Sequence, residues 1–527
     1  MPEYLSPGVY IHEVDSGTRP IEGVGTAMAA FVGFAPAGPA NTPTLVTNWS
    51  QYVDTFGSVD ENGRRNPHMP GTYLSHAVYG YFMNGGGRCY VDRVVATTPS
   101  KANGNGAAGK PAMTMLPSRT AKGLPSLSAT PKSPPTADIV IEVAPPTGEE
   151  PPEGAFTLKV KMHDVEETYE NVNLGRRGPR GVVETVNQAS RVITLAELPV
   201  QAPIAERIPA LGLYTISAPL AETGTAGLPQ VQSKHFVGDV AERSGLEGLE
   251  IAEDATMVAC PDLMSAFQQG IIDADGVKAV QLAMIAHCER VGNRVAILDP
   301  LPGLTPQEAK RWREKDTNYD SKFAALYYPW IKVDGPDSQP IEIPPSGHMA
   351  GIYARSDNER GVHKAPANEV VRGALSAASQ ITKGEQDVLN PIGVNCIRSF
   401  TGRGVRVWGA RTLSSDPAWR YVNVRRLFNY VEASIERGTQ WVVFEPNDMD
   451  LWARVRRDVG AFLTGVWRDG ALFGSTPAEA FFVKCDEENN PPDVRDRGQL
   501  IIDVGLAPVK PAEFVVFRFS QYANGGA

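Results

Sequence analysis

The sequence predicts a mixed α/β protein of several domains, and three observations support this. A strand, two helices and a second strand follow one another between residues 27 and 95. Strands and helices alternate again between 236 and 400, a rhythm typical of a largely parallel sheet. Between them, residues 98–235 lose this rhythm and contain separate strand-like runs, which indicates a β-rich insertion. At 527 residues, the chain is also long enough for three or four domains.

Residues 1–20 contain one isolated strand, Gly8–Val14, flanked by Pro7 and Ser16-Gly17. No hairpin partner lies nearby, so we expect a separate strand arm. Its alternating side chains are Val9, Tyr10, Ile11, His12 and Val14.

Residues 21–97 read as a compact β-α-β unit. Ala27–Ala35 is an apolar, buried strand, and Cys89–Val95 is a second strand. Between them we predict helices over Ser50–Phe56 and Gly71–Asn84, the second of which ends at three consecutive glycines. The side chains expected to pack from this second helix are Leu74, Ala77, Val78, Tyr81 and Phe82.

The insertion, residues 98–235, begins with a stretch from 98 to 137 that is rich in Pro, Gly, Ser, Ala and Lys. The apolar residues there follow neither a helical nor a strand periodicity, so this stretch is predicted to be a linker or an exposed loop. Strands are predicted beyond it at Asp138–Val143, Ala155–Met162 and Arg191–Leu195.

Residues 236–400 are predicted to form the middle α/β domain. Its predicted strands are Thr256–Cys260, Arg294–Asp299 and Phe323–Trp330. Its predicted helices are Val277–Val291 and Pro306–Asp316, with helical turns around Ser346–Arg355 and Asn368–Ile381.

Residues 401–510 are predicted to begin their helical part at Asp416-Pro417, because Asp accepts first-turn amide hydrogens and Pro has none to leave unpaired. An amphipathic helix follows there, and a second one covers Asn447–Arg468. Strands are predicted at Phe481–Lys484 and Leu500–Leu506. The apolar positions of the two helices are Val424, Leu427, Phe428, Val431, Ile435, Leu451, Trp452, Val455, Val459, Phe462, Leu463 and Val466.

Three arginines, Arg454, Arg457 and Arg468, share the face of the second helix that lies opposite its apolar side. Small residues separate them, including Gly460 and Gly465, although each glycine inside a helix costs ~1 kcal/mol relative to alanine. Close approach to an acidic partner would explain this face. A solvated basic surface is the other interpretation.

The last strand, Phe514–Phe519, is apolar on both faces and is set apart by Pro508 and Pro511. Residues 511–527 are therefore predicted to form a second arm. This strand can pair within its own sheet or complete a sheet on another molecule. Its apolar residues are Phe514, Val515, Val516, Phe517 and Phe519.

Composition excludes several classes of protein. A net charge of −10 gives no general footprint for nucleic acid, and no apolar run approaches the ~20 residues that span a bilayer. No basic segment followed by an apolar run opens the chain, so we expect no secretion signal. The five scattered cysteines read as free, mostly buried thiols of a protein made and folded in the cytoplasm.

No enzymatic constellation is evident, and no cofactor or metal is expected. Residues 104–110 match the first seven positions of a phosphate-binding loop, but Pro111 replaces the magnesium-binding Ser or Thr and no helix follows. His287 and Cys288 lie inside a predicted helix, where packing is the simpler role. Cysteine pairs with zinc spacing and a G-x-S-x-G elbow are both absent from the sequence.

Several spaced motifs resemble contractile tail sheath proteins, which coat phage tails and related bacterial injection systems. They cover parts of 1–95 and 236–527, whereas residues 98–235 resemble nothing that we recognise, as expected of a variable, outward-facing insertion. The opening motif favours the injection-system branch. The motifs are YLSPGVYIHEVD at 4–15, IEGVGTAMAAFVG at 21–33, WGARTL at 408–413, YVNVRRLF at 421–428, GTQWVVFEPN at 438–447 and PPDVRDRG at 491–498.

The resemblance implies a structural, non-catalytic subunit that stacks in six-membered rings around an inner tube and contracts to drive that tube through a target membrane. It implies that both terminal arms donate strands to neighbouring subunits, and that Arg454, Arg457 and Arg468 of the conserved inner domain face the tube. The other implied partners are baseplate and tail-terminator proteins, with no nucleic acid and no direct membrane insertion. It also implies a hydrolase-like middle layer without a working site.

Two alternatives remain open at this point. A hydrolase or nucleotide enzyme built on residues 236–400 would need a nucleophile and a base that converge in one pocket. Another self-assembling shell or filament protein, such as a surface-layer subunit, would be favoured by a signal peptide.

Overall fold

The computed structural model describes residues 20–59, 63–96, 114–119, 125–132, 139–148, 152, 154–162, 165–174, 181–190, 192–198, 203, 206–216 and 231–518. The chain divides into two compact units, one formed by residues 1–97 and 224–527 and the other by 98–223. The second unit therefore ends at residue 223, whereas the sequence predicted that the insertion extends to residue 235. The reason is that Phe236, in a short helix at 233–237, is buried in the core of the first unit.

The described residues form strands throughout both units. In chain order these are β1 (Ala29–Gly33), β2 (Thr44–Val46), β3 (Ser58–Val59), β4 (Arg65–Asn66), β5 (Cys89–Arg93), β6 (Thr114–Pro117), β7 (Pro125–Pro131), β8 (Ile139–Ala144), β9 (Phe156–Met162), β10 (Val165–Val172), β11 (Ile193–Glu197), β12 (Gly212–Ile216), β13 (Met257–Ala259), β14 (Val295–Leu298), β15 (Ala324–Tyr328), β16 (Ile331–Asp334), β17 (Pro340–Ile343), β18 (Ala374–Ala377), β19 (Val394–Phe400), β20 (Gly404–Val407), β21 (Phe481–Lys484) and β22 (Asp503–Leu506).

The helices of the described residues lie mostly in the first unit. They are α1 (Trp49–Phe56), α2 (Leu74–Met83), α3 (Val182–Ala189), α4 (Ser233–Val237), α5 (Gly245–Gly248), α6 (Asp262–Gln268), α7 (Ala274–Val291), α8 (Pro306–Arg311), α9 (Ser346–Arg360), α10 (Lys383–Leu389), α11 (Val422–Gly438), α12 (Met449–Arg468), α13 (Pro477–Ala480) and α14 (Pro492–Asp496). A π-helical turn, Trp312–Thr317, continues α8, and a short 3-10 turn, Pro417–Trp419, precedes α11.

An eight-stranded sheet forms the centre of the first unit, in the order β2-β5-β1-β13-β14-β15-β19-β20. The six inner strands are parallel, whereas β2 and β20 pair antiparallel at the two edges. Parallel strands need crossover connections, and the alternating helices supply them. The mixed α/β class predicted from the sequence is confirmed.

Both faces of the central sheet are covered. Successive residues of β1 alternate between two hydrophobic cores, with Ala30 and Val32 in one and Ala29 and Phe31 in the other. The five residues of β1 are all buried, which explains why this strand reads as a continuous apolar run.

Helices α2 and α9 pack against each other in the core on one face of the sheet, and glycines allow their close approach. A Cβ atom at Gly347 would lie 2.4 Å from the backbone of Ala77. A Cβ atom at Gly80 would lie 2.3 Å from the His348 ring. Any larger side chain at these two positions would therefore push the helices apart.

A further core lies around helices α11 and α12 and the two-stranded sheet β21-β22. The predicted apolar faces are confirmed, since most of their members are buried and Phe428, Ile435 and Phe462 are partly buried. Asp448 caps α12 by accepting a hydrogen bond of 2.8 Å from the Leu451 amide.

The second unit has its own core, built by two antiparallel sheets and helix α3. One sheet has the order β10-β9-β8-β12 and the other β11-β7-β6. Strands β6 and β7 show that the predicted loop at 98–137 was partly wrong. Their small and polar residues hid the pattern, although Leu116, Leu127 and Ala129 are buried.

The predicted helical turns at Asn368–Ile381 were also wrong. This segment contains β18, which pairs antiparallel with β16, a strand that sequence reasoning missed. A four-residue strand made of Ala, Leu and Ser carries too weak a local preference to identify itself. Its pairing partner decides its conformation.

Acidification is expected to weaken the α2–α9 contact. His348 is buried there and its Nδ1 has no hydrogen-bond partner among the described residues. Burial, together with the nearby His76, lowers the pKa of His348 from 6.5 to about 4. The unfolded chain binds the proton more readily, so the stabilisation present above pH 6.5 is lost as the pH falls toward 4. Between pH 7 and pH 4.5, the wild type should therefore lose about 2–3 kcal/mol more of its free energy of unfolding in urea than a variant without His348.

The variant His348→Gln removes this titration, so its free energy of unfolding should depend less on pH over the same range. Burial lowers the pKa of His235 as well, but this residue is less buried, so His235→Gln should remove a smaller part of the pH dependence than His348→Gln. Equal pH dependence in the wild type and in His348→Gln would contradict the assignment.

Candidate assembly surfaces

The C-terminal segment leaves the body of the first unit at Glu513. The side chains that follow, Phe514, Val515, Val516 and Phe517, are 73%, 69%, 78% and 75% exposed. Residues 514–518 form no strand within this single chain, and Phe519 lies outside the described residues. Pairing of this segment with another subunit stays a prediction. Four consecutive exposed apolar residues are nevertheless unusual on a protein surface.

The two-stranded sheet β21-β22 is an incomplete sheet within the described part of the chain. Its strands are antiparallel, and Phe481 pairs with Leu506 and Lys484 with Asp503. Among the described residues no third strand joins either edge. Phe482 on its outer face is 59% exposed. Edge strands of this kind present unpaired backbone groups to a further strand.

The predicted N-terminal arm residues Val9, Tyr10, Ile11, His12 and Val14 lie outside the described residues. The phosphate-loop-like segment at 104–110 lies outside them as well.

Helix α12 carries the three predicted arginines on its outer side. Arg457 and Arg468 are exposed, and the Nε atom of Arg457 lies 3.1 Å from Oδ1 of Asp458. Arg454 is half-buried, 3.3 Å from the carboxylate of Glu445 and 5.3 Å from the ring centre of Trp441. The stripe is therefore basic but partly neutralised at its N-terminal end.

The small residues of α12 leave open space between the arginines. A Cβ atom at Gly460 or Gly465 would meet no atom within 4 Å among the described residues. Packing inside the described chain therefore gives no reason for glycine at these two positions.

Carboxylates that follow strands β13 and β14 serve the architecture of the sheet. Asp262 accepts hydrogen bonds from the amides of Phe34, Tyr73 and Leu74, and Asp299 accepts one of 2.9 Å from the Ser346 amide. Burial raises the pKa of each carboxyl to about 7. Ligand sites of α/β sheets lie at these strand ends. Here both carboxylates are engaged in holding the start of a helix.

His287 and Cys288 do not form a nucleophile pair. The Nε2 atom of His287 lies 3.1 Å from the guanidinium of Arg294, and burial, with Arg294, lowers the pKa of His287 to about 3. Burial raises the pKa of the Cys288 thiol to about 12. All five cysteines are free and buried, as predicted. The described residues contain no group of His, Cys, Asp and Glu that could hold a metal ion.

Sequence reasoning missed the buried arginines, whose carboxylate partners lie far away in the chain. Arg426 and Asp357 form a bidentate pair whose side chains are 3% and 2% exposed. Arg411 pairs with Glu513 across 102 residues of sequence. No local pattern reveals such contacts, because both partners read as surface residues.

Comparison with known families identifies this architecture. Residues 253–413 match the phage tail sheath protein central domain, and residues 414–521 match the phage tail sheath C-terminal domain. The chain belongs to the phage tail sheath protein family. The resemblance inferred from the motifs is confirmed, and the role of this sheath protein is structural rather than enzymatic.

Individual relatives agree with this assignment. The tail sheath protein of Burkholderia phage BcepMu is 23% identical over 97% of the sheath chain and 95% of its own length. The tail sheath protein of Vibrio phage KVP40 is 29% identical, but the match covers 34% of the sheath chain and only 26% of the phage protein. For the tail sheath protein of Salmonella phage ViI the identity is 27%, over 58% and 47% of the two chains.

Solved structures show the same fold over nearly the whole sheath chain. A chain of the anti-feeding prophage baseplate is 25% identical and superposes with a TM-score of 0.56, covering 99% of the sheath chain and 100% of its own length. A chain of the contracted sheath complex of the extracellular injection system PVC is 24% identical, with a TM-score of 0.55 and 99% coverage of both chains. Among the described helices of the sheath protein, none has the length and apolarity to cross a membrane.

Proposed function

We propose that this sheath protein polymerises as stacked six-membered rings around an inner tube, and that contraction of the rings drives the tube through a target membrane. The observation that supports this best is a donor and an acceptor on one chain. The exposed apolar segment 514–517 is the donor, and the incomplete sheet β21-β22 is the acceptor.

Strand addition would satisfy both surfaces. The sheet β21-β22 packs on α12 on one side, and a third strand would add backbone hydrogen bonds along its open edge. A single donor strand can pair either with the sheet of its own chain or with that of a neighbouring subunit. Pairing with the neighbouring subunit's sheet links the two subunits. In the proposed assembly the N-terminal strand, Gly8–Val14, acts in the same way; its support is the sequence alternation alone.

Contraction in this proposal needs no nucleotide. Assembled packings are bistable, so a change of a few kcal/mol in each subunit sums to a large, single release of work. The strand links persist while the packing between rings changes. Backbone ladders suit this role because they are local and insensitive to the tilt of the domains that they join.

The middle layer, residues 236–400, is in this proposal a hydrolase-like framework without a working site. The capping roles of Asp262 and Asp299 support this, since the positions where such a site would lie are used for structure. Assembly takes place in the cytoplasm, where the rings grow from a baseplate and end at a terminator. The insertion that the sequence predicts at residues 98–235 faces outward in this proposal.

Arg454, Arg457 and Arg468 of α12 are proposed to face an acidic surface of the inner tube. Each exposed contact contributes about 0.5 kcal/mol. Two such contacts in each subunit of a six-membered ring add up to roughly 6 kcal/mol, or about ten-thousand-fold in binding. Gly460 and Gly465 allow the backbone of α12 to approach the tube closely, which accounts for the open space beside them.

Charge reversal at the two exposed positions, Arg457→Glu with Arg468→Glu, is expected to prevent sheath formation on tubes. Both side chains are exposed, but Arg457 also pairs with the buried Asp458 carboxylate, so the monomer should still fold, with a free energy of unfolding lowered by about 1–3 kcal/mol. Electron microscopy of tubes mixed with the variant should show almost no striated extended sheath, whereas the wild type coats the tubes in six-fold rings.

The matched control reverses Arg311 and Arg497, which are exposed and lie outside α12, and thus changes the net charge equally. This control should coat tubes normally. Normal extended sheath from the α12 variant would show that the arginine stripe is only solvated.

A further inference from the structure

Segment 507–513 is attached to the first unit along its length. The Ala507 amide donates to the Ala480 carbonyl over 2.9 Å, and the Val509 amide donates to the Ala471 carbonyl over 3.1 Å. The Phe473 amide donates to the Ala507 carbonyl over 2.8 Å. These are single backbone hydrogen bonds, spaced along the segment.

The segment ends at a different kind of contact. The Oε1 atom of Glu513 accepts from Nδ2 of Asn390 at 2.8 Å and from Nε of Arg411 at 2.9 Å. Its Oε2 atom accepts from a terminal nitrogen of Arg411 at 2.6 Å and from the Tyr421 hydroxyl at 2.9 Å. The carboxylate thus has four donors, two of them from one guanidinium, which is the strong, charge-assisted geometry.

This contact is shielded from solvent. The Glu513 and Arg411 side chains are 19% and 9% exposed. Burial would raise the pKa of Glu513, but hydrogen bonds from Arg411, Asn390 and Tyr421 hold it below its usual value. The contact therefore stabilises the ionised carboxylate of Glu513 over its protonated form.

Arg411 is itself fixed to the central sheet. Its amide donates to Oδ1 of Asn395 at 2.7 Å, and Nδ2 of Asn395 donates to the carbonyls of Arg411 at 2.8 Å and Leu326 at 3.2 Å. Asn395 belongs to β19 and Leu326 to β15, two neighbouring parallel strands. Glu513 is therefore connected through one arginine to two strands of the central sheet, next to its β20 edge.

We infer that Glu513 is the fixed root of the C-terminal arm, and that its contact with Arg411, Asn390 and Tyr421 passes tension on the arm to the central sheet. The inference rests on the proposed donation of residues 514 onward to a neighbouring subunit. The arm begins abruptly, because the four-donor contact at Glu513 is followed immediately by exposed apolar residues.

A fixed root has a mechanical purpose. Backbone hydrogen bonds that hold a chain one after another peel singly from the pulled end. Four donors on one carboxylate must be released together. Without them, residues 507–513 could detach and add up to ~20 Å of slack to the arm. Neighbouring rings would then move independently, and contraction would no longer pass uniformly from ring to ring.

The test compares Glu513→Gln, Glu513→Ala and a matched control, Glu342→Gln, which alters an exposed ion pair with Lys332. Hydrogen exchange of the isolated chain should be at least tenfold faster in peptides covering 507–518 of Glu513→Ala. The change should be smaller in Glu513→Gln and absent in the control. In Glu513→Ala it should be confined to 507–518 and to the segments that carry the partners Asn390, Arg411 and Tyr421. In assembled particles, Glu513→Ala should form extended sheath, with at least fivefold fewer particles that contract to a uniform length.

A chain that ends at Glu513 separates this inference from the proposed function. If the truncated chain makes no sheath while Glu513→Ala exchanges and contracts like the wild type, the root is overturned and strand donation stands. If the truncated chain makes normal sheath, strand donation is overturned, and the proposed role of Glu513 with it. Loss of sheath on truncation together with local exchange and uneven contraction in Glu513→Ala supports both.

Discussion

Removal of residues 514–527 is expected to give a chain that folds normally but forms no long sheath. The described residues 514–517 are largely exposed and contribute little to the core of the first unit, so the free energy of unfolding should change by less than about 1 kcal/mol. Assembly should be lost, because each acceptor sheet would remain incomplete. Urea unfolding and electron microscopy measure the two effects separately, and removal of residues 1–15 should act in the same way.

A point variant can separate the backbone ladder from apolar contact. Val515→Pro keeps an apolar side chain but removes an amide donor, and it should also block assembly. Val515→Ile keeps both and should assemble normally. Truncated or proline-containing chains that polymerise into normal sheath would rule out the donated strand.

Breaking the buried pair between Arg426 and Asp357 is expected to have the largest effect on stability. Arg426 donates to the two Asp357 carboxylate oxygens at 2.8 and 2.6 Å, and also to the Thr26 carbonyl at 2.9 Å. The pair thus joins α11, α9 and the segment before β1. In Asp357→Ala the guanidinium would remain buried without its partner, and this costs about 3–5 kcal/mol. Urea unfolding followed by tryptophan fluorescence should detect this loss.

Replacing both partners gives the control. Arg426→Met with Asp357→Leu leaves no buried charge, and it should recover most of the stability lost in Asp357→Ala. Glu488→Gln, which alters the exposed pair with Lys484, should leave the free energy of unfolding essentially unchanged. Equal losses in the single and double variants would indicate that packing, rather than unpaired charge, dominates at this site.

Local patterns of the sequence predicted about half of the elements of the first unit. The strand Phe481–Lys484 was predicted with its observed bounds, and the helix predicted at Asn447–Arg468 was observed at Met449–Arg468. These elements have a strong periodicity of apolar residues and clear capping residues. Their secondary structure can therefore be predicted without knowledge of the elements that pack against them. The errors at 98–137 and at Asn368–Ile381 concern short strands of small or polar residues, whose conformation depends on their pairing partners.

The candidate surfaces were predicted unevenly. Helical spacing alone placed Arg454, Arg457 and Arg468 on one outer face, and the structure shows that Glu445 partly neutralises Arg454. The sequence could also set Phe514–Phe519 apart as an apolar segment behind two prolines. It could not predict Glu513 as the residue that holds this segment, because the partners Asn390 and Arg411 are more than 100 residues away.

By itself, the sequence determined the periodic helices, the buried strands and the family, because each depends on side chains that are close together along the chain. Only the tertiary structure decided the order of the strands, in which β1 lies between β5 and β13 although the second unit separates those two in sequence. It alone decided which charges are buried, as for Arg426 with Asp357. Burial of a charge is stable only when a distant partner compensates it, and folding brings such partners together.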